Sequence, residues 1–212
     1  MSEVLEIADS GDQSAREALE ACIGAGGVAI FPADGLYGLA CDPMSPAAVR
    51  RLHELKGRPA LKSSAVMYFT PLAMRELLPS IGERTRSGLA ALLPGPVTAV
   101  IDNPQRRYPL ACNEDPERLG VRLIEGPLAG ARCPVFQTSA NISGEPATAS
   151  FGQIDLALVG EVDLAIDGGE LTGAPSTVID LAGVDRTGDW QILREGGMPR
   201  VEVGRRLRDA LS

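Results

Sequence analysis

The residues of this chain that could do chemistry sit on turns and at the ends of short apolar runs. Lys56-Gly57-Arg58-Pro59-Ala60-Leu61-Lys62 sets three cations within seven residues at the end of a helical pattern. Thr138-Ser139-Ala140-Asn141 closes an apolar run and continues into Ser143-Gly144, while Gly120-Val121-Arg122 places an arginine inside a strand-like pattern. Pro175-Ser176-Thr177-Val178 and Leu193-Arg194-Glu195-Gly196 add a hydroxyl and a further cation. Ahead of them, Pro32-Ala33-Asp34-Gly35-Leu36-Tyr37-Gly38-Leu39 follows a short apolar strand, with two glycines that permit tight backbone geometry. Leu93-Pro94-Gly95-Pro96-Val97-Thr98 and Asp167-Gly168-Gly169 complete the series. Cations beside neutral hydroxyl and amide donors suit the binding of phosphate and carboxylate oxygens. Taken singly each segment is weak: a Lys-Gly-Arg turn is more often a solvated helix end, and Thr-Ser-Ala-Asn more often a polar loop.

Other chemistries lose support. The one histidine, His53, reads as a solvated residue on the polar side of a helix, which argues against a Ser-His-Asp triad, a Cys-His pair and an ordinary zinc site. There is no Gly-x-x-x-x-Gly-Lys-Ser/Thr phosphate loop, and the Gly24 to Gly27 cluster precedes a strand, the wrong order for a dinucleotide fingerprint. Cys22, Cys41, Cys112 and Cys133 are far apart with no Cys-x-x-Cys pair, so they read as reduced, buried thiols. A net charge of −8 weighs against tight nonspecific RNA or DNA binding, yet leaves room for a local basic pocket. What remains is this set of polar residues on turns, which could together line a local basic pocket.

In this order, from about Gly26 to Gly196, the segments resemble the YrdC-like family, the threonylcarbamoyl-adenylate synthases that begin tRNA N6-threonylcarbamoyladenosine synthesis, in its short, single-domain form. The resemblance implies ATP as a substrate with Mg2+, L-threonine and bicarbonate as the other reactants, and transfer of the product to a threonylcarbamoyl transferase complex. In that chemistry a threonine carbamate attacks the α-phosphate of ATP and expels pyrophosphate, a step that needs positioning and charge neutralisation more than a side-chain nucleophile. Carried over by residue, Lys56, Arg58, Ser139 and Asn141 take the catalytic positions, Lys62, Thr138 and Arg194 the nucleotide, and Tyr37, Arg122 and Ser176 the amino acid. Arg122 would pair with the substrate carboxylate in a charge-assisted bond. No protein metal ligands are assigned, because magnesium is held mainly by nucleotide phosphates and water. The family also implies an alternative: a double-stranded-RNA-binding or regulatory protein without synthase activity, with tRNA or double-stranded RNA as partner, or a paralogue using another amine substrate.

The chain departs from the family pattern in the amino-acid half. Pro-Thr-Glu/Asp-Thr-x-Tyr-Gly-Leu has lost both threonines, to Ala33 and Gly35. The second Lys-Pro-Leu appears as Lys62-Ser63-Ser64, and Arg-x-Pro-x-x-His as Arg122-Leu123-Ile124-Glu125-Gly126. Loss of those hydroxyls predicts a larger, less polar cavity at positions 33 and 35, with weaker discrimination in favour of threonine.

The elements that must position these residues follow from periodicity. Residues 14–23 have apolar positions at helical spacing and stop at Gly24 to Gly27, and Val28 to Phe31 form a strand closed by Pro32. Ser45 as N-cap and Pro46 at the first helical position start a second helix that ends near Gly57. A helical stretch runs from about Pro71 to Leu93, and an amphipathic helix from Val201 to Leu211. Short β-like runs fall at 65–69, 97–101, 120–124, 135–138, 163–166, 177–181 and 190–193. This alternation predicts an α/β fold, one domain over residues 1–212, with a twisted mixed sheet, flanking helices and a concave cleft. An apolar fraction of 44% with 23% charge is that of a globular chain. No apolar run is long enough to span a membrane, and the acidic segment Met1 to Gly11 lacks the form of a signal peptide, so a cytoplasmic location is expected.

Overall fold

The computed structural model describes residues 3–57, 64–112 and 115–212. The strands are β1 (Glu3–Glu6), β2 (Ala29–Ala33), β3 (Leu36–Cys41), β4 (Ala65–Tyr68), β5 (Val97–Asp102), β6 (Arg118–Leu123), β7 (Val135–Ser139), β8 (Leu164–Asp167), β9 (Thr177–Asp180) and β10 (Gln191–Arg194). The helices are α1 (Ile7–Gly24), α2 (Pro46–Leu55), α3 (Pro71–Met74), α4 (Glu83–Leu92), α5 (Pro109–Cys112), α6 (Leu156–Glu161), α7 (Val184–Thr187) and α8 (Arg200–Leu211), with short 3-10 turns at Arg75–Ser80 and Phe151–Gln153. All ten strands join one twisted, open mixed sheet in the order β1-β8-β2-β3-β7-β4-β6-β5-β9-β10. This is the α/β class expected from the sequence.

Alternation along the strands gives the sheet two unlike faces. Val66, Tyr68, Val121, Ala99, Ile101, Ile179, Phe136 and Leu39 point to one face and form a continuous core with α2, α4 and α8. Ala29, Phe31, Ala33, Met67 and Ile166 point to the other, where α1 supplies Ala15, Leu19 and Ile23 at four-residue spacing. Burying Leu19 and Ile23 contributes about 2–3 kcal/mol each. That second core stops short of β6, β5, β9 and β10. There the sheet face carries Thr98, Val100, Gly120, Arg122, Val178 and Arg194, and this half forms the floor of a cleft.

Several elements differ from the sequence reading, each for a local reason. Residues 71–93 do not form one helix: Pro79 lies inside the 3-10 turn and Gly82 is extended, so a proline without an N–H and a flexible residue divide the run. Pro32 does not close its strand. It pairs opposite Tyr37 beyond Ala29 and Ile30, the residues that pair with β8, so its missing N–H costs no ladder bond. Gly11 has φ 78° inside α1, which leaves the residues after it as the continuous amphipathic helix. His53 is not solvated; it is 4% exposed and stacks edge-on against Phe136 at 5.6 Å.

Carboxylates that tie elements together make the fold acid-sensitive. Burial pushes Asp163, Asp180 and Asp185 up, but hydrogen bonds from Arg51, Arg118 and Thr85 respectively, aided by backbone N–H groups, bring each below its ordinary value. The unfolded chain then binds more protons than the folded one in the window between the two values. Their stabilisation is complete above the unfolded value of about 4 and is lost as pH falls through the lower folded values. Urea denaturation at pH 6 and pH 3 should show a lower midpoint at pH 3. The drop should shrink in Asp185→Asn; an identical drop in both proteins would contradict this assignment.

Candidate active site

The cleft encloses a cavity of about 610 Å3. Six of the residues singled out from the sequence line it: Tyr37, Arg122, Thr138, Ser139, Ser176 and Arg194. Lys56 and Asn141 stand behind that lining, and Arg58 and Lys62 lie outside the described residues.

Lys56 caps α2, and Gly57 after it takes the left-handed conformation (φ 58°) that ends many helices. This turns Lys56 under the 139–141 turn, where it is 2% exposed. Its ammonium donates to the carbonyls of Ser139 (2.5 Å) and Asn141 (2.7 Å), and its own carbonyl accepts from the Ser143 N–H at 2.9 Å. The Ser139 hydroxyl donates to Asn141 Oδ1, and the Asn141 amide donates to the carbonyls of Ile142 (2.9 Å) and Glu145 (2.6 Å). Among the described residues Lys56 and Asn141 are thus engaged with the turn and are not part of the cavity lining. They hold the turn that presents Ser139 to the cavity.

Arg122 lies on β6, 5% exposed, with Nη2 in close contact with Asp34 and Nη1 donating to Gln137 Oε1 at 3.1 Å. Its Nε is buried without a hydrogen-bond partner among the described residues. Burial pushes the Asp34 carboxyl up and lowers Arg122, in each case against the attraction of the partner. Arg194 also disfavours the charge on Arg122 across the cavity. The sequence singled out Arg122 but not its ion pair, which forms because the β2–β3 hairpin turns at Asp34-Gly35 with Asp34 at φ 69°.

Tyr37 anchors the other wall. Its hydroxyl donates to the Gly169 carbonyl at 2.7 Å and accepts from the Gly168 N–H at 2.9 Å, and burial pushes its ionisation up. Ser176 Oγ lies 2.8 Å from Thr98 Oγ1, and Arg194 Nη2 donates to the Ser176 carbonyl at 2.8 Å and to its hydroxyl at 3.1 Å. Thr98, Gln137, Asp115 and Arg118 also line the cavity and were not assigned from the sequence. Alternation along Val97-Thr98-Ala99-Val100 was the signal that could have placed Thr98 with Val100 on the cleft face.

The expected enlargement at position 35 does not occur. Residues 172–174 fill that space: a Cβ on Gly35 would lie 2.1 Å from the Ala174 carbonyl oxygen and 2.8 Å from Thr172 Oγ1. The Gly173 N–H donates to the Gly35 carbonyl at 2.9 Å. At the other end of the same segment a Cβ on Gly196 would lie 2.2 Å from the Pro175 carbonyl oxygen. Two glycines thus let the 172–176 segment lie against the backbone and wall the cavity with Ala174, Pro175 and Ser176.

A model of the Sua5/YciO/YrdC family, described as "Telomere recombination", matches residues 21–196, and the resemblance drawn from residues 26–196 lies inside that span. The chain belongs to the Sua5/YciO/YrdC family. It is 32% identical over 188 residues to a threonylcarbamoyl-AMP synthase of Xanthomonas campestris pv. campestris (strain B100), covering 84% of this chain and 96% of that protein. P. abyssi Sua5 complexed with L-threonine superposes with a TM-score of 0.82 at 27% identity over 97% of this chain, which spans 60% of that longer one. E. coli YciO superposes with a TM-score of 0.75 at 26% identity, covering 92% of this chain and 96% of YciO. Among the described residues no helix is long and apolar enough to cross a membrane.

Two substitutions test this geometry. Lys56→Met removes the ammonium from two turn carbonyls, leaving that of Ser139 with the Asn141 N–H at 3.1 Å, and should destabilise the fold by about 1–3 kcal/mol in urea. Gly35→Thr should cost about 1–3 kcal/mol by overpacking against Ala174. Wild-type stability in either variant would overturn the corresponding contact.

Proposed function

We propose that this chain is a threonylcarbamoyl-AMP synthase, using ATP, bicarbonate and L-threonine and releasing pyrophosphate. The observation that carries the reading is the convergence of Arg122, Ser176 and Tyr37 with Thr138, Ser139 and Arg194 on one cavity. The first group is the amino-acid half. Arg122 offers a buried charge on the cavity lining, suited to an α-carboxylate. The second group is the nucleotide half, where Arg194 has an exposed guanidinium and Ser139 a hydroxyl held by the Lys56-braced turn. Arg58 and Lys62 belong to this half by their place in the sequence.

Threonine enters with its carboxylate on Arg122. Its amine, once deprotonated, takes up CO2 to give a carbamate, and a carbamate oxygen attacks the α-phosphorus while the bond to pyrophosphate breaks. No side-chain nucleophile is needed, so the work of the protein is alignment and charge neutralisation. Mg2+ would travel on the nucleotide phosphates and water and neutralise their charge. The labile adenylate is then consumed by a transferase that carries the threonylcarbamoyl group to tRNA. A net charge of −8 favours this reading over an avid double-stranded-RNA binder. Cytoplasmic tRNA modification is the setting we infer.

The test is pyrophosphate release with ATP, Mg2+, bicarbonate and each amino acid in turn. Threonine should support turnover, and Arg122→Met should raise the KM for threonine by about 10- to 100-fold, the worth of a charged hydrogen bond, with a smaller effect on the KM for ATP. Arg194→Ala should show the opposite split. Release with no amino acid tested would end the synthase reading, and a preference for another amine would redirect it.

A further inference from the structure

The cleft contains one polar contact that the assignments above leave without a role. Thr98 lies on β5 with Val100 on the same face, and both line the cavity. The only hydrogen bond of its hydroxyl among the described residues is the 2.8 Å contact with Ser176 Oγ. Valine at this position would serve the strand equally well, so the hydroxyl needs another explanation.

Ser176 is gripped from two sides. Arg194 donates through Nη2 to the Ser176 hydroxyl at 3.1 Å and to its carbonyl at 2.8 Å, and through Nε to that carbonyl at 3.3 Å. Arg194 is exposed, and among the described residues it has no carboxylate partner. A guanidinium held only by neutral oxygens is readily drawn to a phosphate, because a charged acceptor roughly doubles the strength of the bond. When Arg194 turns to a phosphate it releases Ser176 Oγ. Thr98 still holds it. The Thr98 and Ser176 hydroxyls also carry two protons and spend one on their mutual bond, leaving one for an oxygen in the cavity.

We propose that Thr98 is a positioning residue that keeps Ser176 oriented toward the amino acid after the nucleotide has taken Arg194. Thr98 thereby allows both substrates to occupy the cleft at once. The inference rests on the synthase reading, with Ser176 in the amino-acid half and Arg194 in the nucleotide half.

The experiment is calorimetric titration of L-threonine into wild type, Thr98→Val and Thr98→Ser, each with and without a saturating non-hydrolysable ATP analogue. In Thr98→Val, threonine affinity should match wild type without nucleotide and fall about fivefold with it, the worth of one neutral hydrogen bond. Thr98→Ser should restore wild-type behaviour. In an Arg194→Ala background, the Thr98→Val loss should appear without nucleotide, because the second grip on Ser176 is already gone. Equal losses with and without nucleotide, or no loss in either, would overturn the proposal. Failure of wild type itself to bind threonine would instead remove the synthase reading, and the role of Thr98 with it.

Discussion

A charged guanidinium buried in a sheet must find a counter-charge, and in this protein that requirement organises the site. Arg122 is 5% exposed on β6, and leaving such a charge unpaired costs several kcal/mol. Asp34 answers it from the turn of the β2–β3 hairpin, which joins the far half of the sheet to the cleft floor. Gln137 on β7 takes another donor, so two separate stretches of chain meet the side chain that β6 presents. The pair does not use every donor. Its Nε–H is buried without a partner among the described residues, so Arg122 keeps unmet hydrogen-bonding capacity although the net charge of the Arg122–Asp34 pair is zero.

The rest of the cleft follows from where side chains are small or absent. One face of the sheet carries the larger helix-covered core, while α1 covers only part of the other. Ala65, Gly120 and Val100 keep the uncovered floor low enough for a substrate to lie on it. Gly35 and Gly196 let the 172–176 segment approach the backbone at distances no Cβ could tolerate, which sets one wall. Lys56 sets the opposite end by gathering the carbonyls of the 139–141 turn beneath Ser139. The first device is a close approach of backbones; the second is a side-chain ammonium bound to main-chain carbonyls.

Periodicity and turn chemistry were enough for most elements, because Ser45-Pro46, the glycines after α1 and the β-branched runs are local signals. They failed where the deciding fact was distant. Pro32 stops a strand only if a neighbour needs its N–H, and the ladder to β8 has already ended there. His53 looks polar on its own helix and is buried because Phe136 comes from another strand. The cations and hydroxyls of the site were visible as residue types, and six of them line one cavity. Their division of labour was not. Whether a lysine meets substrate or braces a turn depends on the carbonyls it reaches more than eighty positions away. The same holds for Gly35: a missing hydroxyl suggested empty space, while the 172–174 segment, far along the chain, fills it.

We propose that the Arg122 guanidinium receives the carboxylate of the amino acid, and its Nε–H reports on that event. It can be watched directly as a proton–nitrogen NMR resonance, assigned by its loss in Arg122→Lys. Addition of L-threonine should shift that resonance and slow its exchange with water, and threonine methyl ester, which lacks the carboxylate, should do neither. If calorimetry shows threonine bound while the Arg122 Nε–H stays at its original position and exchange rate, the carboxylate is held elsewhere and the account of the site is wrong.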